Sequence, residues 1–350
     1  MLAAYVSGHG FGHLMRLCEV LRAVRARAPA LPIALVGSVP GAVAAREVPP
    51  PFTSRHAQTD VGLAQQDALV IDEARTAEWC RAFDATWDAR VAEEAAFLRA
   101  SGARAVLGDI PPLAFAAAAR AGIPSVALGN FSWDWIYRHL AAREPSLHAA
   151  ADRAAEAYRA AALLLALPFA GPFSAFGRIE EVGFVARRPR IGRAEGRARL
   201  GLDGRPAVLV SFGGVGLPGL TRDAVGQDPA FQFLFPEELP QVRLDAAGLS
   251  YIDVVGAADV LVTKPGYGIV TDAIGAGTPI VYTERGDFPE YPIMVREMPR
   301  WLACEHVAND ALRAGRITGA IRSVLGRPMP PPPDLGGAAR AAERVLAVLG

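Results

Sequence analysis

Lysine is almost absent from this chain of 350 residues, since Lys264 is the only lysine among 36 basic residues. Cysteine is also scarce, and its 3 positions are too scattered for a disulfide framework or a four-ligand zinc site. A chain with so few cysteines fits a reducing compartment, so we expect a cytoplasmic protein.

Net charge is absent as well, because the 36 basic residues balance 36 acidic ones. That balance argues against a nucleic-acid partner, which would require a basic surface. No apolar run approaches the roughly 20 residues of a transmembrane helix, and the N-terminus lacks a signal-peptide pattern. A hydrophobic content of 51% excludes a disordered chain. We therefore expect a soluble protein with sizeable cores.

Short apolar runs alternate with helical patterns along the chain, which is typical of βαβ units and parallel sheets. We predict an α/β protein with two Rossmann-like, doubly wound domains that face each other across a cleft, over residues 1–175 and 176–327. A Pro-rich connector and a final helix occupy residues 328–350, and packing of that helix on the N-terminal domain is one option. Ligands bind at the carboxyl ends of strands in such sheets.

The segment Ser7-Gly-His-Gly-Phe-Gly-His13 follows the first predicted strand and opens the first predicted helix. Its glycines permit a tight turn, and the helix N-terminus attracts anions. It is not a dinucleotide-binding fingerprint, because His13 stands at the third glycine position. Either His9 or His13 could act as a general base. A structural, helix-capping role is the alternative for both.

Asp109 ends the predicted strand Ala105–Gly108. In a parallel sheet this position shares an edge with the first turn, where a carboxylate could orient His13. The alternative is an N-cap for the helix that starts near Pro111. After the next strand, the aromatic-rich segment Asn130–Tyr137 could line a sugar or lipid pocket or pack in a core.

The second half carries three similar loops at strand ends. Ser211-Phe-Gly-Gly-Val-Gly216 is one, and Lys264-Pro-Gly-Tyr-Gly268 is another. Backbone amides, a helix N-terminus and a compact ammonium together suit a diphosphate. Asp272, in the first predicted turn of the next helix, could accept ribose hydroxyls or be a surface acid. Gly286-Asp-Phe-Pro-Glu-Tyr291 offers two carboxylates for sugar hydroxyls.

In this order these segments resemble glycosyltransferases of the GT-B fold. The residues that carry the resemblance are YVSGHGFGH, Asp109 with NFSWDWIY, VSFGG, ADVLVTKPGYG and RGDFPEYP. The nearest similarity is to the glycosyltransferase-like half of plant L-arabinokinases and its bacterial relatives. The peptidoglycan N-acetylglucosaminyltransferase and the monogalactosyldiacylglycerol synthases are more distantly similar.

The resemblance implies transfer of a sugar from a nucleoside-diphosphate sugar, expected to be a UDP-sugar, to a hydroxyl of a small-molecule or lipid acceptor. It implies His13 and Asp109 as catalytic residues. Donor diphosphate binding is expected at Gly12, Ser211, Gly213, Gly214, Lys264, Pro265, Gly266, Tyr267 and Gly268. Donor ribose and sugar binding is expected at Asp272, Asp287 and Glu290. The acceptor side is expected to include His9, Phe11, Asn130, Trp133 and Asp134.

Two absences bear on the mechanism. The sequence has no Asp-x-Asp motif, so we expect no bridging metal and no cofactor, with Lys264 and amide dipoles neutralising the leaving group. Retaining GT-B enzymes often carry a Glu eight residues before the ribose-binding acid, where this chain has Lys264. The pair Glu297 and Glu305 has that spacing but lies past the donor strands, and we interpret it as chance. We predict inversion with His13 as the base.

Two other functions stay open. One is a catalytically idle module that binds a nucleotide sugar, and the other is a nucleotide-sugar epimerase or hydrolase on the same fold. Peripheral contact with a membrane is compatible with a lipid acceptor.

Overall fold

A computed structural model describes residues 1–38, 41–67, 69–213, 217, 220 and 222–350. The chain forms two compact units. The N-terminal unit comprises Met1–Ala64, Asp72–Val185 and Asp334–Gly350, and the C-terminal unit comprises Gln65–Ile71 and Ala186–Pro333.

The N-terminal unit is built on a parallel sheet. Its strands are β1 (Leu2–Val6), β2 (Ile33–Gly37), β3 (Phe52–His56), β4 (Ala105–Asp109), β5 (Ser125–Gly129), β6 (Leu163–Ala166) and β7 (Ile179–Glu181). Within the described ranges, their order is β3-β2-β1-β4-β5-β6-β7. The inner strands β1, β4 and β5 are buried at every position, as expected for parallel strands that are covered on both faces. The edge strand β3 is largely exposed.

The helices of this unit connect successive strands. They are α1 (Phe11–Arg27), α2 (Gly41–Glu47), α3 (Glu73–Asp84), α4 (Trp87–Ala100), α5 (Pro112–Ala121), α6 (Trp133–Leu140) and α7 (Leu147–Arg159). The last helix of the chain (Gly337–Leu349) also belongs to this unit, where it packs beside α1. Its Glu343 accepts a hydrogen bond from Arg27 at 3.0 Å.

The C-terminal unit repeats the same plan with a smaller parallel sheet. Its strands are β8 (Ala207–Val210), β9 (Gln232–Leu234), β10 (Val260–Thr263), β11 (Ile280–Tyr282) and β12 (Cys304–His306), in the order β12-β11-β10-β8-β9 among the described residues. Its helices are α8 (Arg193–Leu200), α9 (Arg222–Val225), α10 (Gln241–Ala247), α11 (Tyr251–Ala257), α12 (Tyr267–Ala276), α13 (Glu290–Glu297), α14 (Asn309–Arg313) and α15 (Thr318–Leu325). Short 3₁₀ turns lie at Pro236–Glu238 and Met298–Arg300.

The segment Gln65–Ile71 leaves the N-terminal part of the chain and belongs to the C-terminal unit. Leu69 is buried there in the core formed by Val208, Val210 and their neighbours. Asp67 accepts hydrogen bonds from the backbone of Leu69 and from Arg313 at 3.1 Å. Nothing in the sequence marks this crossing, because a seven-residue stretch that begins with three polar residues looks like an ordinary loop.

No helix in the described part of the chain combines the length and the apolar character needed to span a bilayer.

Candidate functional site

The turn after β1 brings the backbone close to a buried carboxylate. Gly10 precedes α1 as its N-cap, and the backbone N–H of Gly8 donates to Asp60 Oδ1 at 3.1 Å. A Cβ on Gly8 would lie only 2.4 Å from Ser38 Oγ, so a larger residue would not fit here without a shift. A larger residue at position 8 would therefore have to displace the Ser38 hydroxyl.

His13 lies next to Asp109, as the sheet order requires. Val6 at the end of β1 is aligned with Asp109 at the end of β4, and His13 is in the first turn of α1. The His13 Nδ1 atom is 2.8 Å from Asp109 Oδ1, and both side chains are buried. The N-cap of α5 is Pro111 rather than Asp109. The carboxylate therefore serves this pair and not the helix end.

Arg16, which the sequence analysis missed, binds the same carboxylate from one turn further along α1. Its Nε donates to Asp109 Oδ2 at 2.6 Å and its Nη2 donates to Oδ1 at 2.6 Å. Its Nη1 donates to Asn130 Oδ1 at 2.7 Å, so the fully buried Asn130 helps to hold the guanidinium. The i to i+3 spacing from His13 was the signal that could have found it.

The charge of Asp109 is fixed by these neighbours. Burial raises the pKa of this carboxyl, but the Arg16 guanidinium and, to a smaller extent, His13 lower it below its ordinary value. An ionised Asp109 favours the tautomer in which His13 Nδ1–H donates to it, and this leaves Nε2 to accept a proton. The Arg16 Nη2 atom is 3.1 Å from His13 Nδ1, so a second positive charge would form beside an existing one.

His9 makes a structural hydrogen bond, although it does not cap a helix as its alternative interpretation expected. Its Nδ1 accepts a hydrogen bond from the Leu63 backbone at 3.2 Å, and its ring packs edge-on against Trp133. Trp133 in turn donates from Nε1 to Asp60 Oδ2 at 3.0 Å. Burial raises the pKa of the Asp60 carboxyl, and hydrogen bonds from Ser7 and Gly8 partly offset that effect.

The residues predicted for the acceptor side differ in exposure. Phe11 is 53% exposed, whereas Trp133 is fully buried and Asp134 nearly so. Burial raises the pKa of Asp134, and its Oδ1 lacks a hydrogen-bond partner among the described residues. The aromatic segment thus packs mainly in a core, which was the second of its two interpretations.

The three loops that are predicted to bind the nucleotide sugar lie at the carboxyl ends of neighbouring strands in the C-terminal unit. Strand β10 is paired with β8 and with β11, so the loops that follow these three strands share one sheet edge. Ser211 after β8 accepts a hydrogen bond from the Tyr251 hydroxyl at 2.7 Å, and Gly213 has a positive φ of 76°. Gly214 lies outside the described residues.

The predicted diphosphate loop comes directly before α12. Gly266 is the N-cap of α12 and Tyr267 is its first residue, so Pro265, Gly266 and Gly268 surround the helix N-terminus. Burial, followed by repulsion from Arg285, lowers the pKa of Lys264 to about 7, while Asp67 acts in the opposite direction. Gly12 occupies the corresponding first turn of α1 in the other unit.

Asp272 lies deeper than expected. Because α12 begins at Tyr267, Asp272 is in the second helical turn and not in the first, and the expected position was wrong. It is 5% exposed, and both of its oxygens accept hydrogen bonds from Arg187, the first at 2.9 Å from Nε. Its role as a ribose ligand stays a prediction and would require a rearrangement of this pair.

The two carboxylates expected to contact the donor sugar also differ. Asp287 is exposed on the loop after β11. Glu290 is buried at the start of α13, where its Oε2 accepts a hydrogen bond from Arg285 at 3.1 Å. Arg285 was missed by the sequence analysis because one arginine among so many carries no distinct signal.

Comparisons with known proteins bear on the fold and on the family. No model of a known protein family matches the sequence. The chain is 32% identical over 329 residues to an L-arabinokinase of Arabidopsis thaliana, a match that covers 89% of this chain and 31% of the relative. It therefore spans about a third of that relative's length.

Solved structures are similar along almost the whole chain. A glycotransferase of kitacinnamycin matches with a TM-score of 0.62 at 17% identity, over 99% of this chain and 94% of the other. A UDP-glucosyltransferase from Polygonum tinctorium matches with a TM-score of 0.58 at 16% identity, over 99% and 98%. A UDP-glucose:anthocyanidin 3-O-glucosyltransferase in complex with UDP matches with a TM-score of 0.59 at 12% identity, over 99% and 94%.

The chain has the GT-B fold.

The predicted fold class of this GT-B protein is thereby confirmed, as is the resemblance to a plant L-arabinokinase. The roles of its individual residues remain predictions, and so does metal independence.

Proposed function

We propose that this GT-B protein transfers a sugar from a UDP-sugar to an acceptor hydroxyl, with inversion at the anomeric carbon and without a metal ion. The observation that carries the proposal is the buried pair of His13 and Asp109, whose closest atoms are 2.8 Å apart. A helix-borne imidazole held by an ionised carboxylate is the arrangement that a general base needs.

The pair supplies both parts of base catalysis. His13 Nε2 takes the proton of the acceptor hydroxyl as the oxygen attacks the anomeric carbon. Asp109 keeps its negative charge because Arg16 binds both of its oxygens, and it stabilises the imidazolium that forms. The bond between the anomeric carbon and the diphosphate oxygen breaks, and the nucleoside diphosphate leaves with the electron pair.

The leaving group is expected at the loop before α12. Backbone N–H groups at the start of this helix attract a diphosphate, and Lys264 supplies a positive charge next to them. The relatives of known structure include proteins named as UDP-glucosyltransferases, and one of them is in complex with UDP. These names support UDP as the nucleotide of the donor, while the acceptor is left to experiment as a small molecule or a lipid.

The test is turnover of UDP-sugars with a panel of hydroxyl acceptors, measured as release of UDP and as product configuration by NMR. We expect His13→Ala to lower kcat by about 10²- to 10⁴-fold, the range that a positioned base contributes. His148→Ala, an exposed histidine on α7 of the same unit, is the matched control and should turn over like the wild type.

Retained turnover in His13→Ala, at the level of His148→Ala, would exclude the base role. A product with the donor's anomeric configuration would exclude inversion. Full activity in the presence of a chelator is expected for metal-independent transfer.

A nucleotide-sugar-binding module without turnover is the second candidate. It is favoured by the relative from Arabidopsis thaliana, which is named for kinase activity and of which this chain matches 31%. Such a module would bind UDP-sugars in a calorimeter and release no UDP with any acceptor. Release of UDP without an acceptor would instead indicate a hydrolase. A cytoplasmic location and peripheral contact with a membrane stay predictions.

A further inference from the structure

Arg285 lies against the loop that carries Lys264. Its Nη1 donates to the Pro265 carbonyl oxygen at 3.3 Å and to Glu290 Oε2 at 3.1 Å. The guanidinium also stacks over the Phe288 ring, with its central carbon 4.0 Å from the ring centre. A Cβ on Gly266 would come within 3.7 Å of Nη1. Three elements therefore fix this guanidinium beside the backbone of the predicted diphosphate loop.

The guanidinium retains a donor that the fold does not use. Its Nε is buried and has no hydrogen-bond partner among the described residues. A buried donor without an acceptor is costly, and native structures leave few of them. An oxygen-rich ligand that entered beside the loop could satisfy this group.

The charges near the loop favour an anion. After burial, repulsion from Arg285 is the next cause of the lowered pKa of Lys264. Nearby carboxylates already have arginine partners, since Glu290 accepts from Arg285 and Asp67 accepts from Arg313. A diphosphate carries several negative oxygens and can bridge two neighbouring cations.

We propose that Arg285 is a second cation of the donor site, and that the diphosphate of the nucleotide sugar binds between its guanidinium and the Lys264 ammonium. This inference rests on the proposed function, because it takes the loop before α12 as the donor site. It adds a binding residue and a pH dependence that the proposed function does not require.

The pH dependence follows from the groups that face Lys264. Burial and Arg285 lower its pKa to about 7, and Asp67 raises it. At pH 8 most Lys264 side chains are therefore neutral before the donor binds. A bound diphosphate stabilises the ammonium, so the site takes up a proton when the nucleotide binds.

Calorimetric titration of the full chain with UDP tests both parts of the proposal. We expect Arg285→Gln to weaken UDP binding about ten- to hundredfold, the effect of losing one charged hydrogen-bond partner. Titrations at pH 8 in buffers of different ionisation enthalpy should show an uptake that approaches one proton per UDP in the wild type. That uptake should be smaller in Arg285→Gln, because burial alone then lowers the pKa of Lys264 and a larger fraction of Lys264 is protonated before UDP binds.

The variant Glu290→Gln distinguishes an effect of the Arg285 charge on UDP binding from an effect on folding. It keeps Arg285 and removes the negative charge that neutralises its guanidinium. We expect it to bind UDP more tightly than the wild type. The double variant Arg285→Gln/Glu290→Gln removes the buried pair together and should weaken binding as the single variant does, with the melting temperature as a check on folding. Arg296→Gln, an exposed arginine on α13, is the matched control.

UDP affinity of Arg285→Gln equal to that of Arg296→Gln would overturn this inference and leave the proposed function intact. Wild-type protein that binds none of UDP, ADP and GDP would overturn the proposed donor site itself, and this inference with it. Tight UDP binding with no proton uptake at pH 8 would contradict the placement of the diphosphate at Lys264.

Discussion

The polar clusters of the two units each combine one buried carboxylate with two basic side chains, but they differ in how many of their polar groups are satisfied. In the N-terminal unit one carboxylate, Asp109, is shared by the Arg16 guanidinium and the His13 imidazole. In the C-terminal unit one carboxylate, Glu290, accepts a hydrogen bond from Arg285. The Lys264 ammonium is close enough to Arg285 to be repelled by its guanidinium. Both clusters follow adjacent strands of a parallel sheet.

The hydrogen bonds that each cluster makes decide how it behaves without a ligand. Both oxygens of Asp109 accept short hydrogen bonds, and the pKa of this carboxyl stays low although it is fully buried. The cluster of the C-terminal unit has a buried guanidinium Nε without a partner in the described structure and an amine whose pKa is about 7. The first cluster is electrostatically complete, whereas the second is stabilised by an incoming anion.

The largest expected effect tests the completeness of the first cluster. Asp109→Asn should lower kcat by about 10³- to 10⁴-fold, because the amide cannot hold the His13 tautomer or stabilise its charge. It should also lower the free energy of unfolding by about 3 to 5 kcal/mol, because Arg16 would be left as a buried charge. Turnover and urea unfolding measure the two effects.

Asp60→Asn is the control for that variant, because Asp60 is a buried carboxylate of the same unit that binds Ser7, Gly8 and Trp133 instead of a guanidinium. We expect a smaller loss of stability and a much smaller loss of turnover. If the two variants lost equal stability, Arg16 would not depend on Asp109, and the first cluster would not be a closed unit.

The sequence predicted the positions of strands and of the residues at their ends, because local patterns determine them. Apolar runs with glycine at their ends located the strands β1, β4 and β10, and the edge rule for parallel sheets brought His13 to Asp109. The start of α12 was misjudged by two residues, since Gly266 rather than a later residue is its N-cap, and this moved Asp272 into the second turn.

The partners of these residues could not be predicted in the same way. Arg16, Arg187 and Arg285 each bind a residue that was singled out, but they are three among many arginines in the chain. Arg16 and Arg187 meet carboxylates more than 80 residues away in sequence, and Arg285 meets Glu290 through the fold of the loop before α13, so tertiary packing decides which arginine binds which carboxylate. The same reason hid the crossing of Gln65–Ile71, where the burial of Leu69 is a tertiary contact.

A smaller effect is expected when the shape of the Arg16 side chain changes and its charge is kept. A lysine cannot donate to both oxygens of Asp109 and to Asn130 at once. We expect Arg16→Lys to lower kcat about ten- to hundredfold with little change in the KM for the donor, since Arg16 would position Asp109 and His13 without touching the nucleotide. Steady-state kinetics at varied UDP-sugar concentration measures both parameters.

The control is Arg22→Lys on the same helix, where the arginine pairs with Glu19 and Glu47 near the surface. This variant should leave kcat close to that of the wild type. If Arg16→Lys were equally active, the bidentate contact would not matter for His13, and the two clusters would differ less than their geometry indicates.

The last expected effect concerns stability alone and tests the second cluster. Burial and Arg285 hold the pKa of Lys264 at about 7 in the folded chain, against an ordinary value of 10.5. Between these values the unfolded chain binds a proton that the folded chain lacks, so the contribution of Lys264 to stability falls as the pH falls from about 10.5 to 7. Lys264→Met removes this dependence. At pH 7 it should raise the free energy of unfolding by a few kcal/mol, because each unit of the pKa shift corresponds to about 1.4 kcal/mol.

Thermal melting of the wild type and Lys264→Met without nucleotide, from pH 7 to pH 10, measures the difference, which should shrink as the pH rises. Lys264→Arg is the matched opposite, because a guanidinium stays charged throughout this range and should lower the melting temperature at every pH. Equal melting of all three proteins at pH 7 would mean that a positive charge at position 264 carries no cost without an anion. The C-terminal cluster would then be as complete as the pair of His13 and Asp109.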